Sequence, residues 1–188
     1  MDKFSLNDLG TSHSIQRHEC NEVFLYTPKR FHDDRGESVK LLNFDELKEA
    51  TNTFSQVLLT NNQKAGTVRG MHFQVGQNAD SKFIWCNSGL LFDVFVDLRS
   101  TEPTYGRWFS IELDSVTRSV LYLPKGIAHG YQTLQENTSI TYLIDASYDP
   151  NSERTLYYAD SMIGIEWPLP VSCISEKDKN GLRWPIKF

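Results

Sequence analysis

Most of the chain alternates apolar and polar side chains with a period of two between turn-forming residues, the pattern of half-buried β-strands. Phe92, Val94, Val96 and Leu98 fall on one face of a strand, and Phe109, Ile111 and Leu113 on one face of another. Further strands are expected over residues 68–74, 82–87, 118–123 and 138–144, the third stopping at Pro124 and the fourth near Asp149-Pro150. Strands recurring at roughly ten-residue intervals point to an all-β sandwich or jelly roll.

Helix signals are few. The clearest is Asn43–Ala50, where Asn43 caps the first free amides and Glu46 reaches back as in a capping box. The segment from Trp167 to Phe188 is expected to wrap irregularly over the body, because its prolines remove donors and block continued helix or central strand. No internal repeat or Gly/Pro-rich linker divides the chain, so residues 1–188 are read as a single domain.

A formal net charge of −5 argues against a protein that broadly coats nucleic acid or an acidic membrane. Any anionic ligand must therefore be met by a local cationic cluster. Cys20, Cys86 and Cys173 are widely spaced, with no Cys-x-x-Cys pair, and read as reduced thiols. The N-terminus lacks a continuous apolar run, and no stretch of about 18 apolar residues is present. A cytoplasmic protein with no membrane partner is expected.

Against this background, His72, Lys82 and His129 stand out because they lie on strands rather than loops. A rigidly held histidine can remove a proton from carbon while a neighbouring cation steadies the resulting oxyanion. Such enolate chemistry needs no cofactor. Along residues 68–74, alternation puts Gly70, His72 and Gln74 on one face and Arg69, Met71 and Phe73 on the other. For Arg69 and His72 to meet one ligand the strand must carry a bulge, and Gly70 tolerates the backbone angles this requires.

Lys82 shares a face with Ile84 and Cys86, and is either solvated at an edge or lining a cavity. Tyr142 shares a face with Ile140 and Ile144, so its ring should point inward, as core or as a functional hydroxyl. His129 follows Pro124 at a strand start, where a barrel mouth would lie. His72 and His129 could ligate a metal in a cupin-type barrel, although Phe73-Gln74 stands where a second ligand would make a strong metal motif. His13, His18 and His32 lie in polar stretches and are read as surface residues.

Several ordered motifs run from about Val23 to Asp178: Arg69-Gly70-Met71-His72-Phe73-Gln74, Lys82, Phe92 to Arg99, Pro103-Thr104-Tyr105-Gly106, Pro124-x-Gly126-x-Ala128-His129-Gly130, Ile163 to Pro168, and Ser175-Glu176-Lys177-Asp178. Together they closely resemble the dTDP-4-dehydrorhamnose 3,5-epimerases. The resemblance implies a cupin-like jelly roll, a homodimer, no cofactor or metal, and a nucleoside-diphosphate 4-keto-6-deoxyhexose as substrate. It implies that His72 is the proton acceptor, Asp178 its carboxylate partner and Tyr142 the opposing proton donor. Lys82, Arg69 and His129 would surround the sugar, and Arg35 and Lys177 would meet the phosphates. Gln56, Tyr148 and Glu153 correspond to nucleotide-side positions.

The chain departs from the family pattern at Lys40, where a glutamate is usual, at Leu58 within Gln56–Thr60, and at Ser147 in a usual tyrosine pair. These departures leave the nucleobase open, as well as inversion at one carbon or two. A metal-dependent cupin enzyme and a non-catalytic carbohydrate-binding jelly roll are the competing classes.

Overall fold

In a computed structural model, residues 4–7, 14–47 and 53–186 are described. Among them the strands are β1 (Phe4–Asn7), β2 (Ser14–His18), β3 (Phe24–Thr27), β4 (Arg30–Asp33) and β5 (Gly36–Val39). They continue as β6 (Gln56–Asn62), β7 (Val68–Gln74), β8 (Lys82–Ser88), β9 (Leu90–Asp97) and β10 (Trp108–Asp114). The last are β11 (Val120–Leu123), β12 (Ile127–Thr133), β13 (Thr138–Ile144) and β14 (Glu153–Thr155). The one α-helix among the described residues, α1, is a single turn at Glu176–Lys179.

Two antiparallel sheets carry the molecule, a seven-stranded one ordered β1-β2-β3-β11-β8-β13-β6 and a five-stranded one ordered β10-β9-β12-β7-β14. They pack face to face as the sandwich that the alternation anticipates, in the cupin-like form that the resemblance implies. The central core joins Leu91, Phe95, Phe109 and Leu113 of the smaller sheet to Ile84, Cys86, Leu121, Leu123 and Ile140 of the larger. The opposite face of the five-stranded sheet presents Met71, Phe73, Val94 and Val96, which pack with Leu156, Ile163 and Ile186 and with the partly buried Trp167 and Trp184. The proline-rich C-terminal segment therefore seals this second face, as its composition suggests. Both faces of β9 are buried, so it is apolar on both sides apart from Asp93 and Asp97.

The outer face of the larger sheet holds a third cluster built on Phe24, Tyr26, Phe83 and Tyr122, with Leu47 beneath it. Here the helix expected over Asn43–Ala50 is replaced, as far as Leu47, by one turn in which the Glu46 and Leu47 amides both donate to the Asn43 carbonyl at 3.0 and 3.1 Å. The Glu46 carboxylate, required for a capping box, instead accepts from the Tyr26 hydroxyl at 3.4 Å. The rest of that expected helix includes residues 48–50, outside the described ones.

His18, expected at the surface, is buried, because alternation along β2 sends Arg17 and Glu19 outward and the ring between them inward. It stands edge-on to Phe95 and Phe109, and its Nδ1 accepts the Cys20 amide at 2.9 Å. His32 is exposed as expected, and His13 lies outside the described residues.

Candidate active site

The bulge predicted in the strand carrying His72 is present. His72 lies opposite His129, and Arg69 opposite Tyr131, so two residues of β7, Gly70 and Met71, face the single Gly130 of β12. This two-against-one count defines a bulge. Gly70 has φ +121°, and a Cβ there would lie 2.5 Å from the Gly130 Cα, so the close approach excludes side chains. The extra residue brings Arg69 and His72 to the same side of the strand, and both line one cavity of about 350 Å³.

That cavity is walled by both sheets. His72 and Arg69 on β7 and His129 and Tyr131 on β12 come from the five-stranded sheet. Lys82 on β8, Tyr142 on β13, and Gln56, Leu58 and Thr60 on β6 come from the seven-stranded one. A ligand between them would have an imidazole on one side and a phenol on the other.

The imidazole is oriented by a carboxylate. His72 Nε2 lies 2.7 Å from Asp178 Oδ1, and the second carboxylate oxygen accepts the Gly70 amide at 3.2 Å. Asp178 reaches this point because Ser175 caps α1, its hydroxyl accepting the Asp178 amide at 3.1 Å. Burial alone would push the Asp178 carboxyl up, but the His72 and Gly70 hydrogen bonds outweigh it and hold it below the usual carboxylate range. With Nε2–H given to a carboxylate, Nδ1 is the ring nitrogen left to accept a proton.

Lys82 is buried at 7% exposure rather than solvated, and its ammonium lies 2.9 Å from Asp80 Oδ2. His129 is likewise buried, with Nε2 2.9 Å from Asp93 Oδ2. Asp93 is fully buried, and burial pushes its carboxyl up despite the opposing pull of His129 and Lys82. Tyr142 is also raised well above the ordinary phenol value, by burial first and by Tyr131 and Asp93 next, with Arg69 opposing. It is therefore protonated near neutral pH and available as an acid.

At the rim, Glu153 on β14 joins two other predicted residues. The Tyr148 hydroxyl donates to its Oε2 at 2.9 Å, and Lys177 pairs with its Oε1 at 2.5 Å. Burial pushes Glu153 up, but these two partners, Lys177 foremost, bring it below its ordinary value. A second depression, of about 390 Å³, shares Arg69 and His72 with the first and is lined also by Lys177 and Asp178. Arg35 is not brought to either space. It sits in the turn of the separate β4–β5 hairpin, 90% exposed and paired with Asp33 at 2.6 Å.

A family model described as dTDP-4-dehydrorhamnose 3,5-epimerase matches residues 17–185. The chain belongs to that family. It is 32% identical to the dTDP-4-dehydrorhamnose 3,5-epimerase of Shigella flexneri, over 91% of this chain and 96% of that one. It is 33% identical to a dTDP-4-dehydrorhamnose 3-epimerase of Streptomyces niveus, over 85% of this chain and 78% of that one. The crystal structure of the Bacillus anthracis 3,5-epimerase, solved with TDP and PPi bound, superimposes with a TM-score of 0.88 at 31% identity, covering 91% of this chain and 99% of that one.

Within this epimerase family member, one of the three departures reaches the cavity: Leu58 lines it. Ser147 is seen through its backbone, whose carbonyl accepts from Gln74 Nε2 at 3.1 Å. Lys40 is exposed beyond β5, away from the cavity. Asp80, Asp93 and Tyr131 were not singled out from sequence as site residues. For two of them a signal exists: Asp93 falls on the face of β9 that carries Leu91 and Phe95, and Tyr131 is two residues from His129 on β12. An acid between inward apolar residues points into the interior, where it must find a partner, and a tyrosine in phase with a site histidine marks the same cavity wall.

Proposed function

We propose that the protein is a cofactor-independent isomerase that inverts carbon 3 and carbon 5 of a nucleoside-diphosphate 4-keto-6-deoxyhexose, with a dTDP-linked sugar as the first candidate. The observation that carries this reading is the placement of His72, backed by Asp178, and Tyr142 on opposite sheets across one cavity. Carbons 3 and 5 flank the carbonyl, so removing a proton from either gives an enolate. His72 Nδ1 takes that proton while Asp178 orients the ring and stabilises the imidazolium. Lys82 stabilises the oxyanion, with Arg69 and His129 around the sugar. Tyr142 then delivers a proton to the other face of the carbon, and the centre is inverted.

The nucleotide half extends toward the depression shared by Arg69 and Lys177, where cations suit a diphosphate. Gln56, Tyr148 and Glu153 line the same cavity and are read as its nucleotide-side residues. Lys177 pairs with Glu153, and its half-exposed ammonium has further donors to offer a phosphate. Leu58 in the lining makes the base contact differ from the family pattern, and a 3-epimerase among the relatives keeps single-carbon inversion as the alternative outcome.

A homodimer is part of the reading. β6 is the edge strand of the larger sheet and exposes Val57, Leu58 and Leu59, a surface that favours pairing with another chain. A second copy would also give the outlying Arg35 a route to a phosphate. We further read residues 1–188 as one catalytic domain and the setting as cytoplasmic, consistent with three unpaired cysteines.

The test is incubation with dTDP-4-keto-6-deoxyglucose in deuterium oxide, in parallel with the UDP, GDP and CDP sugars. Deuterium at carbons 3 and 5 is expected. Deuterium at one carbon alone would make the protein a monoepimerase, and label at neither with any nucleotide would overturn the reading. Light scattering of the purified protein checks the dimer.

A further inference from the structure

Lys82, the cation assigned to the oxyanion, is held in place by one carboxylate. Its ammonium lies 2.9 Å from Asp80 Oδ2, and both side chains are buried in the cavity wall. Asp80 is its one ion-pair partner among the described residues. The second carboxylate oxygen, Oδ1, accepts the Gln74 backbone amide at 3.2 Å. Gln74 ends β7, two residues beyond His72, whereas Lys82 opens β8. Those strands belong to different sheets. Asp80 therefore ties the cation of the seven-stranded sheet to the strand of the five-stranded sheet that carries the base.

The segment between the two strands is itself fixed. A 3-10 turn occupies Gly76–Asn78, and the Ala79 amide donates to the Gly76 carbonyl at 3.2 Å. The Gln74 side-chain amide donates to the Asn78 carbonyl at 3.0 Å. Asn78 Nδ2 in turn donates to Asp149 Oδ2 at 2.8 Å and to Ser152 Oγ at 3.0 Å.

We propose that Asp80 is a positioning residue for the reaction, holding the Lys82 ammonium where the carbon 4 oxyanion forms while His72 takes the proton from the neighbouring carbon. This rests on the reading of Lys82 as the oxyanion donor and deepens it. An ammonium has three N–H donors, so the bond to Asp80 leaves others for the ligand. A lysine side chain carries about 2 kcal/mol of rotamer entropy. An anchored ammonium has given this up before the ligand arrives, as a preorganised donor must. Base and cation act on neighbouring carbons of one ring, so an error of about 1 Å in their separation is costly.

The charge on Asp80 works in both directions, and its net effect favours the reaction. Without it the buried ammonium is uncompensated and turns away toward water. The carboxylate also repels the oxyanion, but the ammonium lies between them and is nearer to it. Coulomb energy falls with distance, so attraction outweighs repulsion.

The experiment compares wild type, Asp80→Asn, Lys82→Met and the double variant with the sugar nucleotide that the wild type deuterates. Asp80→Asn keeps the size and an acceptor for the Gln74 amide while removing the charge. It should lower kcat by about tenfold with KM unchanged. Deuterium uptake should fall by the same factor as inversion, because the oxyanion forms in the step in which His72 takes the proton. Lys82→Met should cost about 10²- to 10³-fold. Adding Asp80→Asn to it should cost nothing more, because Asp80 acts through Lys82. An Asp80→Asn loss as large without Lys82 as with it would reveal a structural role only and overturn the proposal, as would unchanged kcat in the single variant.

A substrate-independent arm separates this from failure of the activity itself. An ammonium held in a buried ion pair exchanges slowly with water, so ligand-free protein labelled with 15N-lysine should show its Hζ–Nζ cross-peak. The Lys82 peak, assigned by its loss in Lys82→Met, should broaden away in Asp80→Asn. A peak absent from wild type, or unaltered in Asp80→Asn, would overturn the anchor, whereas a wild type that deuterates no sugar would overturn the proposed reaction.

Discussion

Two imidazole–carboxylate pairs face each other across neighbouring strands, and they are not equivalent. His72 and His129 are direct partners in the β7–β12 register, and each bonds a carboxylate through Nε2, at 2.7 and 2.9 Å. The first pair is open: the His72 side chain is 36% exposed and its Asp178 partner is further held by the Gly70 amide. The second is sealed, with His129 at 5% and Asp93 at 0%. The same two functional groups therefore give opposite results, Asp178 held below its ordinary value and Asp93 pushed above it. Burial outweighs the histidine at Asp93, whereas at Asp178 the His72 ring together with the Gly70 and Ser175 donors outweighs burial. A base must exchange protons and so needs the open pair, whereas a fixed donor to the sugar is served by the sealed one.

The sharpest way to break this comparison is to remove the two rings in turn. His72→Ala should abolish deuterium exchange at both carbons, a loss of about 10²- to 10⁴-fold read by mass spectrometry. His129→Ala should weaken binding and rate while leaving measurable exchange. Equal abolition by both would mean that the sealed histidine also handles protons.

Smaller effects are expected from the backbone between the rings. Gly70→Ala places a Cβ 2.5 Å from the Gly130 Cα at φ +121° and should destabilise the fold by about 1–3 kcal/mol in urea unfolding. A neutral result would show that the bulge is not what holds the two rings in register.

The carboxylates should separate in their pH dependence. Asp178, lowered from 3.8, contributes stability above its unfolded value, and that contribution is lost as pH falls through its folded value. Asp93, raised from 3.8, behaves oppositely, and its contribution is lost as pH rises through its folded value. Thermal midpoints from roughly pH 3 to pH 7 should therefore show Asp178→Asn flattening the acid limb. Asp93→Asn should instead gain on wild type as pH rises. Parallel curves for the two variants would contradict the assigned directions.

Much of the architecture was legible because alternation is a local property. Strands β7 and β13 fall at residues 68–74 and 138–144 as the pattern indicated, and the Phe92–Val94–Val96 face is a real packing face. Failures came where a side chain found a distant partner. Glu46 turned to Tyr26 instead of capping a helix, and His18 went inward among Phe95 and Phe109.

By itself the sequence determined the sandwich, the inward Tyr142, the need for a bulge at Gly70 and, through its ordered motifs, the family. Only the tertiary structure decided that Lys82 is buried against Asp80, that Tyr131 lines the cavity and Asp93 backs His129 behind its wall, and that Arg35 lies outside it. The reason is range. Side-chain direction along a strand is set by neighbours two residues away, whereas burial, charge balance and hydrogen-bond chains are set by strands that meet only after the sheets have packed.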